Sequence, residues 1–249
     1  KHSGLMYLCG LFEQGKLEGF QDAIGKELQT ACLTRQDAEA SLRFLLETMR
    51  KKDLSVAKSS LLAHLHEKAG DDKAFETVSL DNLEKNPVLV LNLLRYYQRR
   101  GDRRNVIKTG GRVLAHLQKM RGNNRYDVDS YDDKKIEIDI RRFLEGMLDI
   151  KNEYAEAIDN LEKLFLASAS LSDYKKFAPL YRQTSQKEAF LKTMKEYFIK
   201  DYDVKTAFKV FALEHKQEEV LALIKEHKDT ECFPDMIAAV SKTYPQECF

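Results

Sequence analysis

The chain has 249 residues, of which 43% are hydrophobic and 33% are charged, and its formal net charge at pH 7 is only +1. So small a net charge excludes an overall field that would recruit nucleic acid or a membrane surface. No stretch approaches the roughly 18 consecutive apolar residues that a membrane span requires, so the sequence predicts no membrane protein. With 4 prolines, 11 glycines and no tryptophan, the chain is rich in helix formers and poor in turn residues.

The first part of the chain predicts four helices, because its apolar residues are spaced three to four apart. Thr34, with Asp37 three residues later, has the pattern of a capping box and predicts the start of the third helix. No two-residue alternation bounded by turn signals occurs in the sequence, so essentially no sheet is predicted. The four predicted helices cover residues 4–12, 17–28, 36–50 and 53–67.

A helical hairpin is predicted in the middle of the chain. Asn86 followed by Pro87 predicts an N-cap and a first helical turn, and Gly101 predicts a left-handed helix end. Asp102 then opens the partner helix, whose apolar residues share one face. Ser185 and Glu188 predict a second capping box further on. The remaining predicted helices lie at 140–148, 157–165, 185–198, 203–215 and 217–228.

Four acidic residues recur at predicted helix starts, at intervals of 49, 51 and 50. They are Asp53, Asp102, Glu153 and Asp203. A recurring helix start indicates a helical repeat, in which each unit is too thin to bury its own apolar face and stacks on its neighbours. The sequence therefore predicts an all-α fold of antiparallel helix-hairpin repeats stacked as an α-solenoid. One helical-repeat region is predicted over residues 1–249, with a possible break between sub-bundles near 122–133 or 168–185.

A basic segment is the feature of the sequence that most indicates binding. Between residues 95 and 125, ten basic residues stand against one acid, in a chain whose overall excess is one. Arg104, Lys108 and Arg112 are four residues apart and predict an outward-facing stripe on their helix. Arg95 and Arg99 extend this stripe from the preceding helix.

Two interpretations of this basic segment stay open. Guanidinium groups bind phosphate and carboxylate oxygens in pairs, which favours nucleic acid or an acidic protein as a ligand. Tyr96 and Tyr97 could then stack on bases. Alternatively, nearby acids neutralise a solvated face, and both tyrosines are packed in the core.

No arrangement of side chains predicts catalysis, a cofactor or a metal site. His227, Cys232 and Cys248 match no zinc-finger spacing and lack a fourth ligand. Asp127 and Asp129 resemble the start of a calcium loop, but its required Gly and closing Glu are absent. No nucleophile lies beside a base, so no enzyme is predicted. Four widely separated cysteines fit a reduced, cytoplasmic protein.

Four segments near the end of the chain carry a resemblance to a known family. They are Asp173-Tyr174-Lys175-Lys176, Asp203–Ala207, Glu218–Ile224 and Ala238–Glu247. Together they resemble the helical repeat region of bacterial SWIM zinc finger proteins, over about a third of the chain. The Cys-x-Cys and Cys-x-His motif of that family does not occur here. The resemblance therefore implies the helical portion without its finger, and no zinc ligand. The hairpins also resemble tetratricopeptide-type units, although the interval near 50 is longer than theirs. The difference suggests inserted turns or a third short helix, such as one at 79–84.

The predicted function is a non-catalytic protein-interaction or scaffolding region of a larger intracellular protein. A continuation of the chain is expected, because Pro245 predicts a new helix start near the end of the sequence. The alternative is a nucleic-acid-associated accessory module that uses residues 95–125. The expected partner is a protein, nucleic acid is the alternative, and neither a membrane nor a small-molecule substrate is expected.

Overall fold

The computed structural model describes residues 7–11, 21–48, 55–83, 86, 88–123 and 131–246. Within these ranges all regular structure is helical, which confirms the predicted all-α fold. The chain divides into two compact units, Lys1–Ile136 and Glu137–Phe249. None of the helices in the described ranges is both long enough and apolar enough to cross a membrane.

Unit 1 is built from consecutive helices that pack on one another, with α3 on α4, α4 on α5, and α6 on α7. Short described turns join α4 to α5 at 70–71 and α6 to α7 at 100–102, so each of these two pairs is an antiparallel hairpin, and the hairpin of α6 and α7 was predicted. The boundary between the units falls within α8 (Tyr131–Glu145). The helices that precede it are α1 (residues 7–11), α2 (Gln21–Ala31), α3 (Arg35–Thr48), α4 (Val56–Ala69), α5 (Asp72–Asp81), α6 (Val88–Arg99) and α7 (Arg103–Asn123).

Unit 2 continues the same construction, with α9 packed on α10, α11 on α12, α12 on α13, and α13 on α14. Packing of consecutive hairpins is the arrangement of an α-solenoid repeat. A 3₁₀ turn at Ala178–Leu180 follows α10. The helices of unit 2 after α8 are α9 (Tyr154–Ser168), α10 (Leu171–Phe177), α11 (Thr184–Lys200), α12 (Val204–Leu213), α13 (Gln217–Glu226) and α14 (Phe233–Val240).

One type of tight turn recurs between these helices. In each turn, one residue has left-handed backbone angles, and the N–H of the next residue donates to the carbonyl five positions earlier at 2.8–2.9 Å. This geometry satisfies carbonyls that a helix end would otherwise leave unpaired. The left-handed residues are Gly70 (φ 77°), Gly101 (φ 69°), Tyr202 (φ 58°) and His215 (φ 54°).

Aspartate follows the left-handed residue in three of these turns and caps the next helix. The side chains of Asp71, Asp102 and Asp203 each accept a hydrogen bond at 3.1 Å from the N–H three residues later. The predicted helix starts at Asp102 and Asp203 are therefore confirmed. Glu153 precedes α9 but makes no capping hydrogen bond with its side chain. Asp53 lies outside the described residues.

The two turns at residues 101–102 and 202–203 make opposite predictions for stability. Tyr202 is 96% exposed, so Tyr202→Gly removes left-handed strain without losing packing, and we expect a gain of about 1 kcal/mol. Gly101→Ala adds that strain in open space, since a Cβ there meets no described atom within 4 Å, and we expect a loss of about 1 kcal/mol. Urea denaturation followed by circular dichroism measures both changes. A destabilised Tyr202→Gly variant would contradict this account of the turn.

The two units bury different kinds of side chain. The core of unit 1 that lies around α2, α3 and α4 is largely aliphatic, with Leu28, Leu45, Leu61 and Leu65 fully buried. The core of unit 2 is richer in aromatic side chains, which are seven of the twenty buried residues described in its cluster. Its fully or almost fully buried rings are those of Phe165, Tyr174, Phe177, Phe198 and Phe211. Ring centroids of the first four lie 5.3–6.2 Å apart in tilted or edge-to-face pairs.

The capping box at Thr34 and Asp37 is confirmed, because each backbone N–H donates to the other side chain, at 3.2 and 3.1 Å. Asn86 lies at the predicted start of α6, but its side chain makes no capping hydrogen bond, because its Oδ1 has no partner among the described residues. Its side-chain amide is buried and donates instead to Ser59 Oγ at 3.1 Å and Ser60 Oγ at 2.7 Å on α4. Its backbone carbonyl accepts from the N–H of Leu89 at 3.1 Å. Asn86 therefore fastens the start of α6 to α4, and Pro87 lies outside the described residues.

The capping box predicted at Ser185 is wrong. Helix α11 begins at Thr184, so Ser185 lies within its first turn. The preceding residue, Gln183, has extended backbone angles and makes no capping hydrogen bond with its side chain. Glu188 does not return to the helix start, because its carboxylate binds Lys216 Nζ at 2.6 Å in the turn before α13. The carboxylate that the capping box requires is therefore engaged in an ion pair with a residue outside α11.

The two segments predicted as irregular contain helix. Within 122–133, α7 extends to Asn123 and α8 begins at Tyr131, while residues 124–130 lie outside the described part. Within 168–185, α10 places Tyr174 and Phe177 in the core of unit 2. Helix α5 was predicted only as a short helix at 79–84, which overlaps its last three residues.

Candidate functional site

The basic stripe predicted on α7 is exposed. Arg104, Lys108 and Arg112 all lie at the surface, while Val106 and Leu114 on the opposite side of α7 are buried. At 100° per residue the three cations fall within an arc of about 80°, and Lys119, which is also exposed, falls inside the same arc. Helix α7 contains 21 residues and no Asp or Glu. Together these four exposed cations form the α7 stripe, which consists of Arg104, Lys108, Arg112 and Lys119.

The cations of the α7 stripe differ from those of α6 in their pairing. No ion pair joins any of the four to another described residue. On α6, Arg99 binds the carboxylate of Glu67, and Arg95 Nη1 donates to Asn92 Oδ1 at 3.2 Å. The predicted candidates Arg95 and Arg99 are exposed, but Arg99 already has an acidic partner. Among these exposed cations, those without an acidic partner in the described part of the chain are therefore the four of the α7 stripe and Arg95 of α6.

Tyr96 and Tyr97 are packed side chains that do not form a stacking surface. Their exposed fractions are 9% and 3%, and the ring of Tyr96 lies 5.0 Å from that of Phe75. The hydroxyl of Tyr97 donates to the carboxylate of Glu76, and burial is the main cause that raises the pKa of Tyr97. The guanidinium of Arg100 lies 5.3 Å from the centre of the Tyr96 ring. The possible stacking role of these tyrosines is thus corrected to a packing role.

The surface between the cations of α7 is sterically open. Gly111 and Ala115 are exposed and lie between the charged positions. A Cβ built on Gly111 meets no described atom within 4 Å. A ligand can therefore approach the helix backbone closely along the α7 stripe.

A second candidate site lies in unit 2, and sequence reasoning missed it. It is a groove of about 1000 Å³ between one face of α11 and the turn that joins α12 to α13. The groove is defined by its apolar floor of Leu191, Ile199, Phe211 and Tyr244 and by a charged rim. Leu191 belongs to the core of unit 2 and Ile199 packs against that core, so these apolar residues gave no separate signal of a groove in the sequence.

The rim of the groove carries balanced charge, with four lysines and four glutamates. Two ion pairs connect α11 to the start of α13, Lys195 with Glu219 at 2.8 Å and Lys216 with Glu188 at 2.6 Å. The other rim residues are exposed and have no ion-pair partner among the residues that the structure describes. They are Lys192, Lys200, Glu196 and Glu218.

The described cysteines and histidines show no reactive arrangement. Cys9, Cys32 and Cys232 are free and buried, and burial raises the pKa of the Cys9 thiol to about 11. Burial also lowers the pKa of His64 and of His66, so both favour the neutral form. In the described ranges no three His, Cys, Asp or Glu side chains come together as a possible metal site. Cys248, Asp127 and Asp129 lie outside these ranges.

Comparisons with protein-family models, with curated proteins and with solved structures give no match for this chain.

Proposed function

We propose that this chain is a non-catalytic protein-interaction region, and that the groove of unit 2 holds an amphipathic helical segment of the partner. The observation that carries this proposal is an apolar floor enclosed by a rim of balanced charge. A helix that lies in a groove uses an apolar stripe for affinity and flanking charges for orientation. A rim with equal numbers of lysines and glutamates fits such a mixed-charge segment better than it fits a polyanion.

The dimensions of the groove support a helical ligand. The lining residues of α11 run from Glu188 to Lys200, which at 1.5 Å per residue is a length of about 18 Å. That length accommodates about three helical turns. The floor residues Leu191 and Ile199 lie along this length, where apolar residues at positions i, i+3, i+4 and i+7 of a bound helix can contact them.

A peptide selection tests this proposal without a known partner. The probe is a displayed library of random peptides of about 18 residues, which as helices exceed the length of the groove. We expect enriched peptides with apolar residues at helical spacing, and we expect Ile199→Gln to weaken their binding at least about tenfold, which corresponds to about 1.4 kcal/mol. Ile199 is the target because it is only partly buried and lines the floor.

Leu213→Gln is the matched control. Leu213 is 39% exposed on α12, in the same unit but outside the groove, and the same change should leave peptide binding intact. Circular dichroism of both variants reports whether the fold is kept. The proposal fails if no peptide is enriched, or if the enriched peptides bind the Ile199→Gln variant as well as they bind the original chain.

A cytoplasmic, bacterial parent protein is part of the same proposal. Three buried, unpaired cysteines support a reducing compartment. The resemblance of residues 172–249 to the helical repeat region of SWIM zinc finger proteins is in keeping with a role as an accessory repeat region. The tetratricopeptide-like repeat class belongs to this proposal as well.

A second candidate function is that of a nucleic-acid-associated accessory module. The exposed cations of α7, which have no acidic partner among the described residues, favour it. Three or four cations on one helix supply a sequence-independent contact with phosphates.

A further inference from the structure

We infer that the α7 stripe is a binding site for the phosphate backbone of double-stranded nucleic acid. This inference rests on the second candidate function and names the ligand of that function. The four cations of the stripe stand on a rigid helix, where residues four apart are separated by about 6 Å along the axis. From Arg104 to Lys119 the row extends about 22 Å. Its four cations can therefore contact several phosphates of a regular backbone at the same time.

The surroundings of the α7 stripe favour a duplex over a single strand. Proteins that hold single strands stack bases on exposed aromatic rings beside a basic groove. Tyr96 and Tyr97, the aromatic residues that precede the stripe on α6, are buried and make their contacts within the core. Between its cations, helix α7 exposes two small residues, Gly111 and Ala115. A rigid backbone can approach such a surface, whereas unstacked bases find no Phe, Tyr or Trp ring on α7 itself.

The chemistry of the stripe also defines the expected specificity. Its members are arginine and lysine at the surface of one helix, and phosphate contacts of this kind position a protein without reading sequence. We therefore expect duplex binding that does not depend on base sequence. Helix α7 contains no acidic residue, whereas the whole chain carries a net charge of only +1. The expected attraction for phosphates is therefore local to the surface of this helix.

Salt dependence measures the number of phosphates that the stripe contacts. The probe is a mixed-sequence DNA duplex of about 20 base pairs, which is longer than the stripe. Four contacts predict a slope of about −3.6 for log K against log of salt concentration, and a loss on the order of 100-fold between 50 and 200 mM salt. Fluorescence anisotropy with the full chain gives both values.

Replacement of the stripe identifies it as the site. The triple variant Arg104→Gln, Lys108→Gln and Arg112→Gln should reduce the slope to about −0.9, and the triple change to glutamate should abolish measurable binding. The fold should survive, because these side chains are exposed, and a glutamate at 104 suits the first turn of a helix. The matched control replaces Lys205, Lys209 and Lys228 with glutamate. These lysines are equally exposed in unit 2 and have no ion-pair partner among the described residues.

The competing ligands are outcomes of the same assay. Binding of a single strand more tightly than of the duplex overturns the duplex assignment and leaves the second candidate function standing. Salt-dependent binding of a poly-glutamate peptide without duplex binding would assign the stripe to an acidic protein and overturn the inference. Duplex binding that the stripe variants do not change would place the site elsewhere. No binding of any of these probes removes the second candidate function, and it leaves the groove proposal untouched because that proposal has its own peptide assay.

Discussion

Phe165→Ala is expected to cost about 4 kcal/mol, which is a large part of the stability of a domain the size of unit 2. Phe165 lies on α9 with no exposed surface, and four other aromatic rings surround it. Their centroids lie 5.3 Å away for Tyr174, 5.5 Å for Phe198, and 6.2 Å for Phe177 and Phe190. Because rings from three helices meet here, the cavity left by the deletion cannot collapse easily.

Urea denaturation measures this loss, with far-ultraviolet circular dichroism as the signal. Leu213→Ala serves as the control, because a side chain that is 39% exposed should change the free energy of unfolding by less than about 1 kcal/mol. Phe165→Leu keeps most of the volume and should lose less than the alanine variant. A loss below about 1 kcal/mol for Phe165→Ala would contradict the packing of the aromatic core described above.

The sequence predicted the hairpins where turn chemistry was visible. Gly101 and Asp102 supply a residue that tolerates left-handed angles and an N-cap, and the structure has both features at these positions. The turn at Tyr202 has the same geometry, but tyrosine gives no signal of a left-handed residue. Its helix start was predictable only because Asp203 follows. Local propensity thus locates a turn where glycine has the left-handed angles, and it gives no such signal where tyrosine has them.

The errors have a common physical cause, which is that polar side chains serve tertiary contacts. Asn86 has the type and position of an N-cap, yet its amide is used to bind two serines of α4. Glu188 has the spacing of a capping box, yet Lys216 takes its carboxylate. Such partners lie 26–28 residues away in sequence, so no local pattern reveals them.

The two candidate sites also differ in whether a local sequence pattern predicts them. The α7 stripe was predictable, since a spacing of four places Arg104, Lys108 and Arg112 on one helix face whatever the tertiary structure. The pairing of Arg99 with Glu67 was not, because 32 residues separate them. The groove was not predictable either, since it needs the separation between α11 and the turn before α13, which only packing determines.

The second large effect is expected at a buried ion pair on α8, where Arg141→Met should cost about 3 kcal/mol. The side chains of Arg141 and Glu137 are 3% and 7% exposed, and the guanidinium binds Oε1 of the carboxylate twice at 2.7 Å. Removal of Arg141 takes the guanidinium from a carboxylate that remains out of water, which costs more than the pair itself contributes. The side-chain Nδ2 of Asn160 donates a hydrogen bond to the backbone carbonyl of Arg141 at 3.0 Å. This bond does not depend on the side chain of Arg141 and should persist.

A double-mutant cycle separates the cost of losing one charged partner from the energetic value of the pair. Glu137→Leu alone should also destabilise, because it leaves the buried guanidinium of Arg141 without this carboxylate. The double variant Glu137→Leu and Arg141→Met replaces both charges with apolar groups of similar size, so it should be more stable than either single variant. Urea denaturation of the four chains gives the coupling free energy, which we expect to exceed about 2 kcal/mol. Additive losses in the double variant would mean that the two side chains stabilise α8 through separate contacts, and the buried pair would then have no energetic role of its own.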